Sequence, residues 1–194
     1  MNLPNLDSLI EEIRAYLAGH ERLPRVAGYW HGFEGWLKFE IATELERAHQ
    51  IQPWTRSGSG WTWGDIGVEY RYRQVKSDDR DGNEPTKLID LWVGNEPTYV
   101  ELKNAFRNAN AGKQLRSWRA DFEKLTIVLE GDSKVRGYAS ILVAVGHNDR
   151  EWSEAIQALR SDPRFLDCGI VCDAEPERVG LVRLAALRHE VVAE

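Results

Sequence analysis

The residues of this chain best suited to chemistry lie in one stretch, 87–103, KLIDLWVGNEPTYVELK. The run from Leu88 to Val93 is apolar except for Asp90. Gly94-Asn95-Glu96-Pro97 is turn chemistry. Thr98 to Lys103 is rich in β-formers and alternates, with Tyr99, Glu101 and Lys103 on one face and Val100 and Leu102 on the other. An aspartate inside an apolar strand costs free energy unless something compensates it. A hard divalent cation is one compensation, and magnesium typically takes only one or two protein carboxylates. Lys103, two residues past Glu101, projects to the same side. There it can orient an attacking water or stabilise charge developing on a phosphate.

Asp90 followed on the next strand by Glu101-Leu102-Lys103 resembles the PD-(D/E)XK nuclease superfamily, the restriction-endonuclease-like fold. Ile89 stands where that pattern usually has proline. A second acidic-x-lysine, Asp132-Ser133-Lys134, sits in a loop signal, Gly131-Asp132-Ser133, so strand context selects the Asp90 copy. The resemblance implies that Asp90 and Glu101 hold Mg2+ or Mn2+ and that Lys103 completes the catalytic set. It also implies a further acid from the first core helix. The segment from Glu34 to Ile41 is similar to the E-x-W-x-x-x-E-[LI] helix of small nuclease-like families, and Glu40 is the first choice for that acid, ahead of Glu34 and Glu44. Gln114, four before Trp118, is similar to a Q-x-x-x-Y element of some exonuclease branches, with tryptophan in place of tyrosine. Asp121 to Leu125 resembles the D-x-x-K-L ending of the same helix. The implied fold is α/β, a restriction-endonuclease-like sandwich with a mixed central β-sheet flanked by helices. The implied activity is hydrolysis of DNA phosphodiester bonds. The alternative is a non-catalytic nucleic-acid-binding or protein-interaction module on the same fold.

The elements that must position these residues follow from periodicity. Leu6, Leu9, Ile10, Ile13 and Leu17 fall at helical spacing, with Asn5 or Asp7 as cap and Gly19 as the end. Gly19 to Gly28 reads as a loop. A second helix runs from about His31 to His49, its stripe formed by Phe33, Leu37, Ile41, Leu45 and Ala48, with Ala42, Thr43 and Glu46 outward. On this wheel Glu44 lies within the stripe and Glu34 and Glu40 flank it. Ile51 to Gly60 reads as a polar loop. Trp61 to Lys76 reads as a strand with a break near Gly64-Asp65, carrying Glu69, Arg71 and Arg73 on its polar face. Ser77 to Pro85 is a charged loop. After a loop from Asn104 to Gly112, a helix runs from about Lys113 to Glu130 on Leu115, Trp118, Phe122, Leu125 and Leu129. Ile141 to Val145 is a buried strand, Asp149 to Arg160 a helix, Cys168 to Cys172 a strand. Val179 to Leu187 fits strand or helix. This order is that of an α/β sandwich with one mixed sheet.

The chain has 194 residues, 42% hydrophobic and 29% charged, which fits one globular domain with a substantial core. The expected division is an N-terminal helix and loop over 1–28 and a core over about 30–190. No apolar run approaches a membrane span, and no secretory signal pattern opens the chain, so a cytoplasmic protein without a membrane partner is expected. The net charge of −6 excludes a generic polyanion binder. DNA would need a local basic rim, for which Arg71, Arg73, Arg107, Lys113 and Arg116 are the candidates. Monomer and homodimer both stay open, as does a protein partner. Cys168 and Cys172 are about 13 Å apart along a strand, too far for a disulfide, and are expected as buried free thiols. His20, His31, His49, His147 and His189 show no paired metal spacing. G-x-x-x-x-G-K-[ST], G-x-G-x-x-G and G-x-S-x-G are all absent from the sequence.

Overall fold

The structure, a computed structural model, describes residues 5–27, 32–53, 55–57, 60–62, 65–73, 86–94, 98–107, 111–129, 135–174 and 180–190. Among these, helices α1 (Leu6–Gly19), α2 (Leu23–Ala27) and α3 (Phe33–His49) come first. A short hairpin of β1 (Thr55–Ser57) and β2 (Gly60–Thr62) precedes β3 (Ile66–Arg73), β4 (Thr86–Val93) and β5 (Thr98–Phe106). Then come α4 (Ala111–Leu129), β6 (Gly137–Val145), α5 (Asp149–Ile156) with a 3-10 turn (Gln157–Leu159), β7 (Phe165–Ala174) and β8 (Gly180–Glu190).

The six long strands form one mixed sheet in the order β3-β4-β5-β6-β8-β7. β5 and β6 are parallel and the other neighbours antiparallel. The parallel pair is joined through α4, the long crossover that such a pair requires. β6 is buried along its whole length. Its side chains alternate between two cores: Ala139, Ile141, Val143 and Val145 pack with α1 and α3, and Tyr138, Leu142 and Ala144 pack with α4 and α5. The α/β class and the mixed sheet with helices are therefore as expected.

Several boundaries differ from the sequence reading. Asn5, not Asp7, caps α1, accepting from Ser8 N–H at 2.8 Å. A short helix, α2, occupies part of the expected Gly19–Gly28 loop, and β1 lies in the expected 51–60 loop; both are too short to show a period. β5 continues through Phe106, past the loop expected from Asn104, because its pairing with β6 runs on to Phe106↔Val145. The ambiguous C-terminal segment is a strand, β8, fixed by pairing on both sides. The buried arc of α3 is also rotated. Lys38 and Ala42 are buried as well, so the arc runs from Phe33 round to Ala42, about 180° at 100° per residue, while Ala48, within that arc, is exposed in the last turn. Cys168 and Cys172 are free thiols, but half-buried on the edge strand β7. Burial pushes the Cys168 thiol up to about 12. The 77–85 loop, the turn at 95–97, His31 and the rival Asp132-Ser133-Lys134 lie outside the described residues.

Candidate active site

β4 and β5 pair through Val93↔Thr98, Trp92↔Tyr99 and Leu91↔Val100. There the ladder stops, although β4 extends back to Thr86 and β5 on to Phe106. Continuing the register by one step sets Asp90 across from Glu101, at the mouth of the fork where the two strands part. Opening the ladder leaves the Leu102 N–H without a β4 carbonyl. Asp90 fills that gap: its Oδ2 accepts from Leu102 N at 2.7 Å. The aspartate is thus tied to the strand that carries Glu101 and Lys103.

Both carboxylates are deeply placed, Asp90 and Glu101 each 6% exposed. Buried charge must be paired, and two lysines do this. Lys38 of α3, itself only 9% exposed, puts Nζ 2.7 Å from Asp90 Oδ1 and 3.6 Å from Glu34 Oε1. Lys103 Nζ lies 3.3 Å from Glu101 Oε1 and 3.5 Å from Asp121 Oδ2 of α4. Burial by itself would lower the Lys103 pKa. The carboxylates of Glu101, Asp121 and Glu34 outweigh that and hold it above the ordinary lysine value. Glu34 therefore acts on both lysines, which makes one cluster of the two halves: Asp90, Lys38 and Glu34 on one side, Glu101, Lys103 and Asp121 on the other.

The helices place these groups by spacing. Glu34 and Lys38 are four apart on α3 and share a face. On α4, Gln114 and Asp121 are seven apart and so also share a face. Gln114 Oε1 accepts from Phe106 N at 3.1 Å, which locks that face of α4 along β5 and carries Asp121 to Lys103. Trp118, between them in sequence and fully buried, donates its indole N–H to Ser140 Oγ at 3.0 Å. The loose Q-x-x-x-W match thus has a structural role at both ends.

Glu40, the first choice for the helix acid, is not gathered with these residues. It stands two positions beyond Lys38, about 200° around the helix. Its carboxylate accepts from the Tyr16 hydroxyl at 2.9 Å and lies 3.3 Å from His20 Nε2, both from the α1 side. Burial, then the bond to Glu40, pushes the Tyr16 phenol up to about 12. Glu44 is taken by Arg47 at 2.6 Å. Of the three glutamates, Glu34 is the one beside the cluster. Of the expected rim residues, Arg107 and Arg116 line one groove. Arg107 pairs with Glu151 at 3.0 Å, and Lys113 and Arg116 are exposed on the first half of α4. Arg71 and Arg73 lie on β3, as does Glu69, and the side chains of all three are outside the described residues.

Lys38 and His147 were missed by the sequence reading. Lys38 lies within the angular arc of Leu37, Ile41, Ala42 and Leu45, so a wheel centred a few tens of degrees further round would have flagged it. His147 is 4% exposed; nothing in a lone histidine between a strand and a helix signals that.

The donor types suit a hard cation. Two carboxylate groups, Asp90 and Glu101, are within the usual protein share for magnesium. Among the described residues no three acidic, histidine or cysteine groups meet as ligands, so the expected trio with Glu40 reduces to that pair. One Asp90 oxygen is already engaged by Lys38. Comparison with protein-family models, with curated proteins and with solved structures finds no match, so geometry alone carries the functional reading.

Proposed function

We propose that this chain is a metal-dependent nuclease of the PD-(D/E)XK type, acting on DNA, with a restriction-endonuclease-like sandwich as its fold. The observation that supports this reading is the pair of buried carboxylates, Asp90 and Glu101, at opposed register positions of a parted strand pair, with the cation of Lys103 against Glu101. Among the described residues four carboxylates (Glu34, Asp90, Glu101, Asp121) meet three ammonium groups there, those of Lys38, Lys103 and the exposed Lys124, which lies 3.8 Å from Asp121. That imbalance leaves the cluster with surplus negative charge, which a divalent ion would neutralise.

In this reading Asp90 and Glu101 hold Mg2+ or Mn2+, which when bound supplies charge neutralisation on the scissile phosphate and a water of lowered pKa. Lys103 contributes a positioned positive charge. As an ammonium beside Glu101 it acts as an electrostatic stabiliser in this reading. Asp121 and Glu34 orient the two lysines. Leu102 N–H holds the Asp90 carboxylate in place when the cation is absent.

The test is a panel of linear, circular, single-stranded and structured DNAs with Mg2+, Mn2+ or Ca2+. Cleavage is expected with the first two and poor turnover with Ca2+, whose looser geometry holds a water less well. Lys103→Ala should lower turnover by about a hundredfold or more, the scale of removing one electrostatic stabiliser. Equal trace activity of wild type and Lys103→Ala on every substrate would overturn the enzyme reading.

A second reading, a nucleic-acid-binding module without catalysis, draws on Lys38. An ammonium 2.7 Å from Asp90 is what a site would hold if it no longer needed a metal. A calorimetric Mg2+ titration separates the two: heat of binding lost in Asp90→Asn favours the nuclease, and no heat in wild type favours the module.

A further inference from the structure

On the α4 face of the sheet, beyond the end of β5, a groove of about 500 Å3 opens between α4 and α5. That volume is in the range of sites that take one small molecule. Its floor is apolar, from Leu115 of α4 and Ala155, Ala158 and Leu159 of the facing segment. Its edges carry Arg107, Arg116 and Arg119. The two acids on its wall are already engaged: Glu151 by Arg107 at 3.0 Å and by the Asn148 backbone N–H at 3.0 Å, Glu154 by Arg150 at 2.8 Å. Arg116 and Arg119 make no ion pair among the described residues, so the groove keeps a positive edge on a protein of net charge −6.

His147 also lines the groove. It is 4% exposed, and its Nε2 has no hydrogen-bond partner. A buried polar atom left in that state costs free energy that a ligand could recover. Burial holds the ring neutral, and the Ala105 carbonyl lies on its other side, so Nε2 is fitted to accept from an N–H or O–H. An apolar floor, a cationic edge and one deep acceptor together match a flat heterocycle bearing N–H groups and attached to a phosphate.

The geometry points to a nucleotide subsite in the α4–α5 groove: the base lies on the Leu115 and Ala158 floor, His147 takes a donor from base or sugar, and Arg116 and Arg119 hold the flanking phosphate. The choice of a nucleic-acid strand as the source of that nucleotide rests on the nuclease reading. Arg107 follows the end of β5, four residues past Lys103 or about 13 Å in extended chain, so one nucleic-acid strand could run from the acidic fork into the groove. Single-stranded DNA, or a strand end peeled from a duplex, is the form that can present an unstacked base.

The test measures binding in EDTA, so that it does not depend on cleavage. Anisotropy of a labelled octadeoxynucleotide is read beside calorimetry with dAMP, deoxyadenosine and inorganic phosphate. Arg119→Glu and Ala158→Trp, both at exposed positions, serve as variants, with folding checked by circular dichroism; Arg47→Ala is the contrast. The expected result is that dAMP binds at least tenfold better than phosphate or nucleoside. Each groove variant should weaken dAMP and the oligonucleotide about tenfold or more, and Arg47→Ala, at an exposed position of α3 outside the groove, should bind both like wild type. If phosphate binds as well as dAMP, or if both folded groove variants bind like wild type, or if neither dAMP nor the oligonucleotide binds, the subsite is overturned. Groove binding without cleavage under any metal would sink the nuclease reading and leave the subsite standing; cleavage with an unaffected groove would do the reverse.

Discussion

Asp90 decides how the cluster answers to change. Removing one carboxylate from an acidic cluster ordinarily relieves repulsion in the metal-free fold. The structure argues the opposite, because Asp90 is the partner of a buried ammonium and of a backbone N–H. Asp90→Ala would remove the nearest carboxylate from Lys38 and the acceptor of Leu102 N–H, and breaking a buried pair costs about 3–5 kcal/mol. Asp90→Asn keeps an acceptor for Leu102 and should cost less, which makes it the better variant for activity. Lys38→Met should be destabilising by a similar few kcal/mol on its own, and a urea-denaturation double-mutant cycle with Asp90→Asn should show strong coupling. Lys38→Met should also raise Mg2+ affinity, since it removes an ammonium competing for Asp90; unchanged affinity would mean that Lys38 and the ion do not share that carboxylate. His147 gives a pH signature. Burial lowers its pKa below the ordinary value of 6.5. The unfolded chain then binds more protons than the fold once pH drops below about 6.5, so this residue makes stability fall as pH falls through that window. Above it the contribution is flat. Melting temperature against pH should show that loss in wild type and a smaller one in His147→Gln.

At the scale of elements, the site depends on how α3 and α4 are held to the sheet. α3 is fastened to α1 by two histidine–carboxylate contacts, His20 with Glu40 at 3.3 Å and His49 with Glu12 at 2.6 Å. Glu40 therefore serves helix docking. α4 is fastened to β5 by Gln114 and to the entry of β7 by Arg164, which bonds both Glu123 and Asp162. Gln114→Ala should cost about 1 kcal/mol by thermal denaturation, the net worth of one such bond. It should also lower turnover, because Asp121 depends on the same helix face. The β3–β4 pair has its own constraint. Gly67 stands opposite Trp92, and a Cβ there would collide with the indole. Gly67→Ala should destabilise by roughly 1–3 kcal/mol, the usual cost of overpacking; a neutral effect would show that the indole can move aside. On the far edge, register irregularities at 167–169 and 170–172 break β7 as a template for another strand.

For the whole molecule, charge is the organising quantity. A net −6 repels a phosphate backbone, so in the proposed reading nucleic acid would bind through the first half of α4 and the end of β5, where Arg107, Arg116 and Arg119 line one groove and Lys113 lies on the same helix. Reversing Lys113 and Arg116 together should weaken single-stranded DNA binding. It should also flatten the slope of log affinity against log salt by about 0.7 for each phosphate that the protein then fails to neutralise. An unchanged slope would remove this surface from the binding face. Among the described residues no helix is long and apolar enough to cross a membrane.

The sequence by itself determined the strands and the alternation that put Glu101 and Lys103 on one face, because a period of two is a local property of the backbone. It also determined the apolar stripes of α1 and α4. The structure alone decided what the charged groups pair with. Whether Glu34, Glu40 or Glu44 faces the fork depends on the rotation of α3 against the sheet, and a shift of its buried arc toward Lys38 and Ala42 moved Glu40 to the α1 side. Lys38 became an Asp90 partner only because β4 and β5 part after Leu91↔Val100, a long-range event with no local signature. The groove beside His147 likewise exists only where α4 and α5, 19 residues apart in sequence, come to rest on the same face of the sheet.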